Sequence, residues 1–288
     1  MATQNKPVAD ARALAAGVLV DVLVGGRSLG DVLSPAQAAL DDPRAGALVQ
    51  ELCYGTLRWY FRLDAVLQAL LSKPLKSRDA DVRCLLLIGL YQIDQLALPQ
   101  RVAVHETVQS VRALNKDWAA GLVNAVLRNF QRRGNSLLQS ACADEVALHA
   151  HPAWLIERLR SDWPQDWAAI LAANNNRPPF TLRVNRQRLT RNEYLDVLSQ
   201  AGLPAVAVAH SAQAVRLERP VPVSALPGVT RGDVSVQDAA AQQAAGLLQL
   251  APGQRVLDAC AAPGGQTSHI LETDPAVALV AMDLDATR

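Results

Sequence analysis

The stretch from Arg255 to Asp283 constrains the fold more than any other. It reads R-V-L-D-A-C-A-A-P-G-G-Q-T-S-H-I-L-E, a short spacer, then V-A-L-V-A-M-D. A buried strand is predicted over 256–259, running into a Pro-Gly-Gly turn. A helix follows from about Gln266, and a second apolar strand over 277–282 ends on Asp283. Strand, helix and strand in that order make the first β-α-β unit of a nucleotide-type site. Pro263 stiffens the turn, and Gly264 and Gly265 lack a Cβ, so a ligand can approach the backbone closely. The helix start adds unpaired N–H groups and the positive end of a dipole, which suit an anionic group. Asp283 follows Gly265 by 18 residues, near the spacing at which an acid meets ribose hydroxyls in such units. The G-x-G-x-x-G pattern is absent, which disfavours a nucleotide-dependent oxidoreductase.

Residues 1 to about 140 read as an all-α bundle. Val8, Ala11, Leu14, Ala15, Val18, Leu19, Val22 and Leu23 recur at three and four, one buried helical face stopped by Gly25-Gly26. A longer periodic run over 44–71 reads as one helix containing Tyr54, Trp59 and Tyr60. Residues 82–93 are apolar almost all round and are expected at the centre. Pro99 opens the next helix, with Val102, His105, Val108, Val111 and Leu114 inward. Residues 118–131 make another helix, ending before Gly134. Arg101, Arg112, Lys116, Arg128, Arg132 and Arg133 face only two acids in this region, Glu106 and Asp117. Solvated helix faces account for most of them. The sharper expectation is an RNA-backbone patch of Arg128, Arg132 and Arg133 at a helix C-terminus.

Residues 141–235 read as a connecting α+β segment. Trp163 and Trp167 are expected in a helical core. Phe180 to Val184 alternates like a strand, Thr190 with Glu193 forms a capping box for a helix over 190–201, and short strands follow at 206–208 and 215–217. That β-α-β-β order implies a small sheet with helices on one face. Arg177, Arg183, Arg186, Arg188 and Arg191 fall within fifteen residues without an acid. Phosphate contact by Arg183, Arg186 and Arg188 is expected here rather than mere solvation. Asp238 is expected to cap an Ala-rich helix reaching Leu250.

At 288 residues, with half of them hydrophobic, the chain can hold two or three domains with sizeable cores. Its net charge is only +1, so any attraction to nucleic acid must be local. The four cysteines, Cys53, Cys84, Cys142 and Cys260, are widely spaced. They fit reduced thiols in a cytoplasmic protein, not a disulfide frame or a zinc set. No apolar run reaches membrane-spanning length, and the N-terminus lacks an apolar signal core. The 36 residues from Gly253 to Arg288 hold two strands and one helix, whereas a doubly wound sheet needs about five or more strands. The count leads to the expectation that residues 236–288 are the beginning of a Rossmann-like domain and that the chain is incomplete.

Asp258-Ala-Cys-Ala-Ala-Pro-Gly-Gly-Gln-Thr267 closely resembles the S-adenosylmethionine motif of RNA cytosine-C5 methyltransferases, D-x-C-A-A-P-G-G-K-T, departing at Gln266 where that family has Lys. S-L-G-D-V-L (28–33), E-L-C-Y-G-T-L-R (51–58), G-L-Y-Q-I (89–93), H-E-T-V (105–108) and G-L-V-N-A-V-L-R-N (121–129) resemble a NusB-like helical domain. A-N-N-N-R-P-P-F-T-L-R-V-N (173–185) and V-S-V-Q-D (234–238) are similar to the linker and the lead-in of the same enzymes' catalytic domain. Together these resemble the bacterial 16S rRNA cytosine-C5 methyltransferases of the RsmB/Sun/Fmu kind. The resemblance implies three parts, at 1–140, 141–235 and 236–288. It implies S-adenosylmethionine held by Cys260, Ala261, Ala262, Pro263, Gly264, Gly265 and Gln266, with Asp283 as the ribose acid. It implies 16S rRNA as partner, a monomer, and a covalent mechanism in which a cysteine adds to cytosine C6. The family's catalytic cysteines match none of the four here and are expected beyond Arg288, so this chain alone is expected to transfer methyl groups weakly or not at all. RNA binding without catalysis, through the NusB-like domain, is the alternative.

Overall fold

The computed structural model describes residues 10–96 and 98–284. The chain divides into two compact units after Asn176. The first is helical: α1 (Ala11–Leu23), α2 (Leu29–Ala38), α3 (Pro43–Arg58), α4 (Tyr60–Leu70), α5 (Ala80–Asp94), α6 (Gln100–Ala113), α7 (Ala120–Ala141), α8 (Glu145–His149), α9 (Ala153–Asp162) and α10 (Trp167–Asn174). Asp10 caps α1 by accepting from the N–H groups of Arg12 and Ala13, two of the donors that a helix start leaves without an intrahelical acceptor. α5 lies at the centre of the core, with Val82 and every residue from Cys84 to Gln92 buried. Each buried Leu or Ile there contributes about 1.5–3 kcal/mol relative to exposure. No helix among the described residues is long and apolar enough to cross a membrane.

The helical unit departs from the sequence expectations in four places, and Val8 lies outside the described residues. The run over 44–71 is two helices, because Trp59 leaves helical geometry at φ −101°, ψ 12°. The inward face of α6 is Ala103, Val104, Thr107, Ser110 and Val111, while His105 and Val102 are exposed. Polar pairing sets that face: the Gln92 amide donates to Thr107 Oγ1 at 3.1 Å, and Ser110 Oγ donates to Asp10 at 3.0 Å. α7 continues through Gly134, so Arg128, Arg132 and Arg133 sit mid-helix rather than at its end. Trp163 ends α9 and is 57% exposed rather than core. Trp167 is half-buried, edge-on to the His149 ring with Arg160 over its face.

The second unit opens with β1 (Phe180–Val184), α11 (Arg191–Gln200), β2 (Ala205–Ala207), β3 (Ala214–Leu217) and β4 (Val234–Val236). These strands form one antiparallel sheet in the order β2-β3-β1-β4. The β-α-β-β order is as expected, with β4 added beside β1. The Thr190–Glu193 capping box is present at the start of α11. Strand alternation sends Leu182, Val184, Val215 and Leu217 into a core with Tyr194 and Leu198 of α11. It sends Thr181 and Arg183 to the opposite face, where both are also buried.

The remainder is α12 (Gln243–Leu247), β5 (Arg255–Asp258), α13 (Gly265–Thr273) and β6 (Ala278–Ala281). β5 and β6 pair in parallel, Asp258 opposite Ala281. α12 is far shorter than the expected Ala-rich helix, since residues 239–242 form turns instead. Val256 and Leu279 pack with Ile270, Val277 and Ala245. The strand is not buried as expected: Val256 and Leu279 are half-buried, and Leu257 and Val280, opposite each other in register, are 60% and 58% exposed.

Candidate functional site

The corner between β5 and α13 is fixed from several directions. Ala261 N–H donates to Met282 O at 3.0 Å, and Ala262 N–H donates to Asp283 Oδ2 at 2.8 Å. The acid at the end of β6 therefore fastens the loop that leaves β5. Thr267 Oγ1 donates to Asp258 Oδ2 at 2.6 Å, tying the first turn of α13 to the end of β5. The Ala262–Pro263 peptide is cis. Gly264 has φ +102°, a conformation that side chains strongly disfavour, and a Cβ built there would meet no atom within 4 Å. The space over that residue is open. The first intrahelical bond runs from Ser268 N–H to Gly264 O at 2.9 Å, so the N–H groups of Gly265, Gln266 and Thr267 precede it.

Gln266 turns away from this space. Its Nε2 donates to Ala241 O at 2.8 Å, and its Oε1 is buried with no partner among the described residues. A buried unsatisfied acceptor costs about 1–3 kcal/mol. Cys260 is exposed, whereas Cys53 and Cys84 are buried in the helical core, where burial pushes both thiols up to about 12. His269 is 3% exposed, and burial together with the neighbouring Arg183 charge pushes its pKa down to about 4.

The arginines of the basic window separate. Arg186 is exposed, and Arg188 is an exposed partner of Asp233 at 3.6 Å. Arg191 donates to the carbonyls of Val208 and Ser211. Arg183 is 1% exposed and is not available to a phosphate. Its acid is Glu272, 89 residues along the chain, which a local count of charges cannot find. The alternation of Phe180, Leu182 and Val184 was the one signal that put Arg183 on the other face of β1. In the helical unit Arg128, Arg132 and Arg133 are exposed, and Arg128 donates to Gln131 at 3.1 Å. A groove of about 550 Å³ beside Arg132 and Arg133 is lined by Ile93, Asp94, Gln100, Phe130 and Leu138 among others.

Family models match in the same order along the chain. The NusB family matches residues 9–132, the RsmF/B-like methyltransferase ferredoxin-like domain matches 151–224, and 16S rRNA methyltransferase RsmB/F matches 245–288. The ribosomal RNA small subunit methyltransferase B of Pseudomonas syringae pv. tomato is 50% identical over 99% of this chain and 62% of its own length. The chain belongs to the RsmB/F family of 16S rRNA methyltransferases.

Other RsmB/F relatives agree. The methyltransferase B of Pseudomonas putida is 50% identical over 99% of this chain and 64% of its own, and that of Vibrio cholerae is 44% identical over 98% and 64%. The chain thus spans less than two thirds of the length of these relatives. The crystal structure of PH0851 matches all of this chain and 66% of its own with a TM-score of 0.71 at 17% identity, a likeness of fold.

Proposed function

We propose that this RsmB/F chain holds S-adenosylmethionine at the corner over Gly264 and serves methylation of cytosine at C5 in 16S rRNA. The observation that carries the donor site is Gly264 itself: a left-handed residue at the mouth of a helix, with clear space where a side chain would stand. The residues around it fit such a ligand. The N–H groups of Gly265, Gln266 and Thr267 suit its carboxylate, and Asp283 suits ribose hydroxyls. When bound, the sulfonium supplies an electrophilic methyl group. The exposed arginines Arg128, Arg132, Arg133, Arg186 and Arg188 suit RNA phosphates, and a cytoplasmic monomer acting on 16S rRNA fits the same reading.

Two of the four thiols favour a second reading for this chain by itself, RNA binding without methyl transfer. Cys53 and Cys84 are buried and held protonated, so neither can present a thiolate to a base. Calorimetric titration of S-adenosylmethionine into the chain tests the donor site. Saturable 1:1 heat that disappears in Gly264→Val supports it, and no heat from the folded chain overturns it. Labelled methyl incorporation into 16S rRNA then separates the two readings.

A further inference from the structure

Resting on that donor reading, we infer that Arg183 is a positioning residue of the cofactor corner, acting from the antiparallel sheet through the Gly265 carbonyl and the Ser268 hydroxyl. Arg183 projects from β1 on the face away from α11, where Gln237 also lies. Its Nη1 donates to Gly265 O at 2.7 Å and to Gln237 Oε1 at 2.6 Å. Its Nη2 donates to Ser268 Oγ at 3.0 Å and to Glu272 Oε1 at 2.9 Å, and its Nε donates to Glu272 Oε2 at 3.0 Å. A guanidinium has five N–H donors, and all five are used.

The partners have a pattern. Gly265, Ser268 and Glu272 all belong to α13, and Gly265 is the residue that follows the open left-handed Gly264. Ser268 passes the restraint on, since its Oγ also donates to Gly264 O at 2.8 Å. Gln237 closes the arrangement, with its Nε2 3.4 Å from Gly265 O and its own N–H donating to Thr181 O at 3.1 Å. The far end of α13 is held from the turn that follows β1: Gln187 Nε2 donates to Leu271 O at 2.9 Å and Glu272 O at 3.1 Å. The helix that presents its N–H groups to the ligand is therefore gripped at both ends by residues just within and just beyond β1. A lysine cannot replace the grip, because an ammonium has three donors and no planar fork to meet a carboxylate and three further oxygens at once.

The test compares wild type, Arg183→Lys and Ser268→Ala in the full 288-residue chain, with two readouts. One is S-adenosylmethionine affinity by calorimetry, and the other is amide hydrogen exchange at residues 264–268 against exchange in β1 and β3. Ser268→Ala leaves the ion pair intact and keeps the inference testable should Arg183→Lys not fold. The expected result is faster exchange at 264–268 with β1 and β3 still protected. Affinity is expected to fall tenfold or more in Arg183→Lys and a few-fold in Ser268→Ala. Unchanged affinity and unchanged exchange in either folded variant overturn the inference. If wild type itself gives no heat, the donor reading falls, and the positioning role then stands or falls on exchange at 264–268 alone.

Discussion

Arg183 Nη2 and Glu272 Oε1 lie 2.9 Å apart across 89 residues of sequence. The guanidinium is fully buried and the carboxylate side chain is 16% exposed, so water screens the pair far less than it screens a surface bridge. Glu272→Leu leaves the cation buried without an anion and should cost the second unit about 3–5 kcal/mol. Native-state hydrogen exchange in β1 and α13 reads that loss. Tryptophan fluorescence does not, since Trp59, Trp118, Trp154, Trp163 and Trp167 all precede Arg177. A loss below about 1 kcal/mol would place this bridge with ordinary surface pairs.

His269 makes the second unit sensitive to acid. Its pKa is lowered from 6.5 to about 4, so between those values the unfolded chain binds a proton that the folded chain refuses. Its contribution is complete above about pH 6.5 and is lost as pH falls toward 4, roughly 3 kcal/mol in all. Protection of α13 amides should decline across that window, and His269→Leu should flatten the decline. An identical pH profile in the variant would remove His269 from the account.

Gly264→Ala separates backbone strain from ligand space. Forcing alanine to φ +102° costs about 1–3 kcal/mol, while its methyl meets no protein atom within 4 Å. The added carbon enters the space assigned to the donor. Affinity for S-adenosylmethionine should drop at least tenfold, beyond what the stability loss explains in a protein that remains folded. Wild-type affinity in Gly264→Ala would move the ligand elsewhere.

Gly55→Ala should destabilise the helical unit. An added Cβ would stand 1.9 Å from Tyr91 Cζ, and the Tyr91 ring is held by its hydroxyl donating to Glu51 at 2.6 Å. Helix propensity alone gains about 1 kcal/mol from this change. Overpacking costs about 3 kcal/mol or more at a site this tight, so the clash wins. The denaturation midpoint followed by Trp59 fluorescence should fall, and a rise would mean that the ring has another place to go.

Arg186→Glu with Arg188→Glu should weaken 16S rRNA binding and shallow its dependence on salt, because each lost phosphate contact removes about 0.7–0.9 from the logarithmic slope. Arg132→Glu with Arg133→Glu should act likewise from the helical unit. Salt titrations matching wild type for both doubles would leave these arginines as solvated surface.

The β5–α13–β6 unit was legible because punctuation and period agree there. The Pro-Gly-Gly corner and two apolar runs place each strand within about a residue of its observed ends. The capping box at Thr190 was legible for the same local reason. What escaped depends on distant partners. The inward face of α6 is small and polar, since Thr107 and Ser110 answer to Gln92 and Asp10 from other helices, and a count of valines selects the wrong face. The break at Trp59 is invisible because apolar spacing runs on through it. Gly134 looked like a stop, yet a Cβ there would make only ordinary contact with the Phe130 ring, and α7 passes straight through. Arg183 was read as surface because its anion is contributed by α13.

The grip of β1 on α13 also decides where this polypeptide can be divided. A splice anywhere from 184 to 264 would strand a cation on one fragment and a carboxylate on the other, and would free the start of the helix that both secure. The small antiparallel sheet is the floor beneath the corner, not a spacer ahead of it. Transplanting the corner into another protein would require transplanting its floor as well.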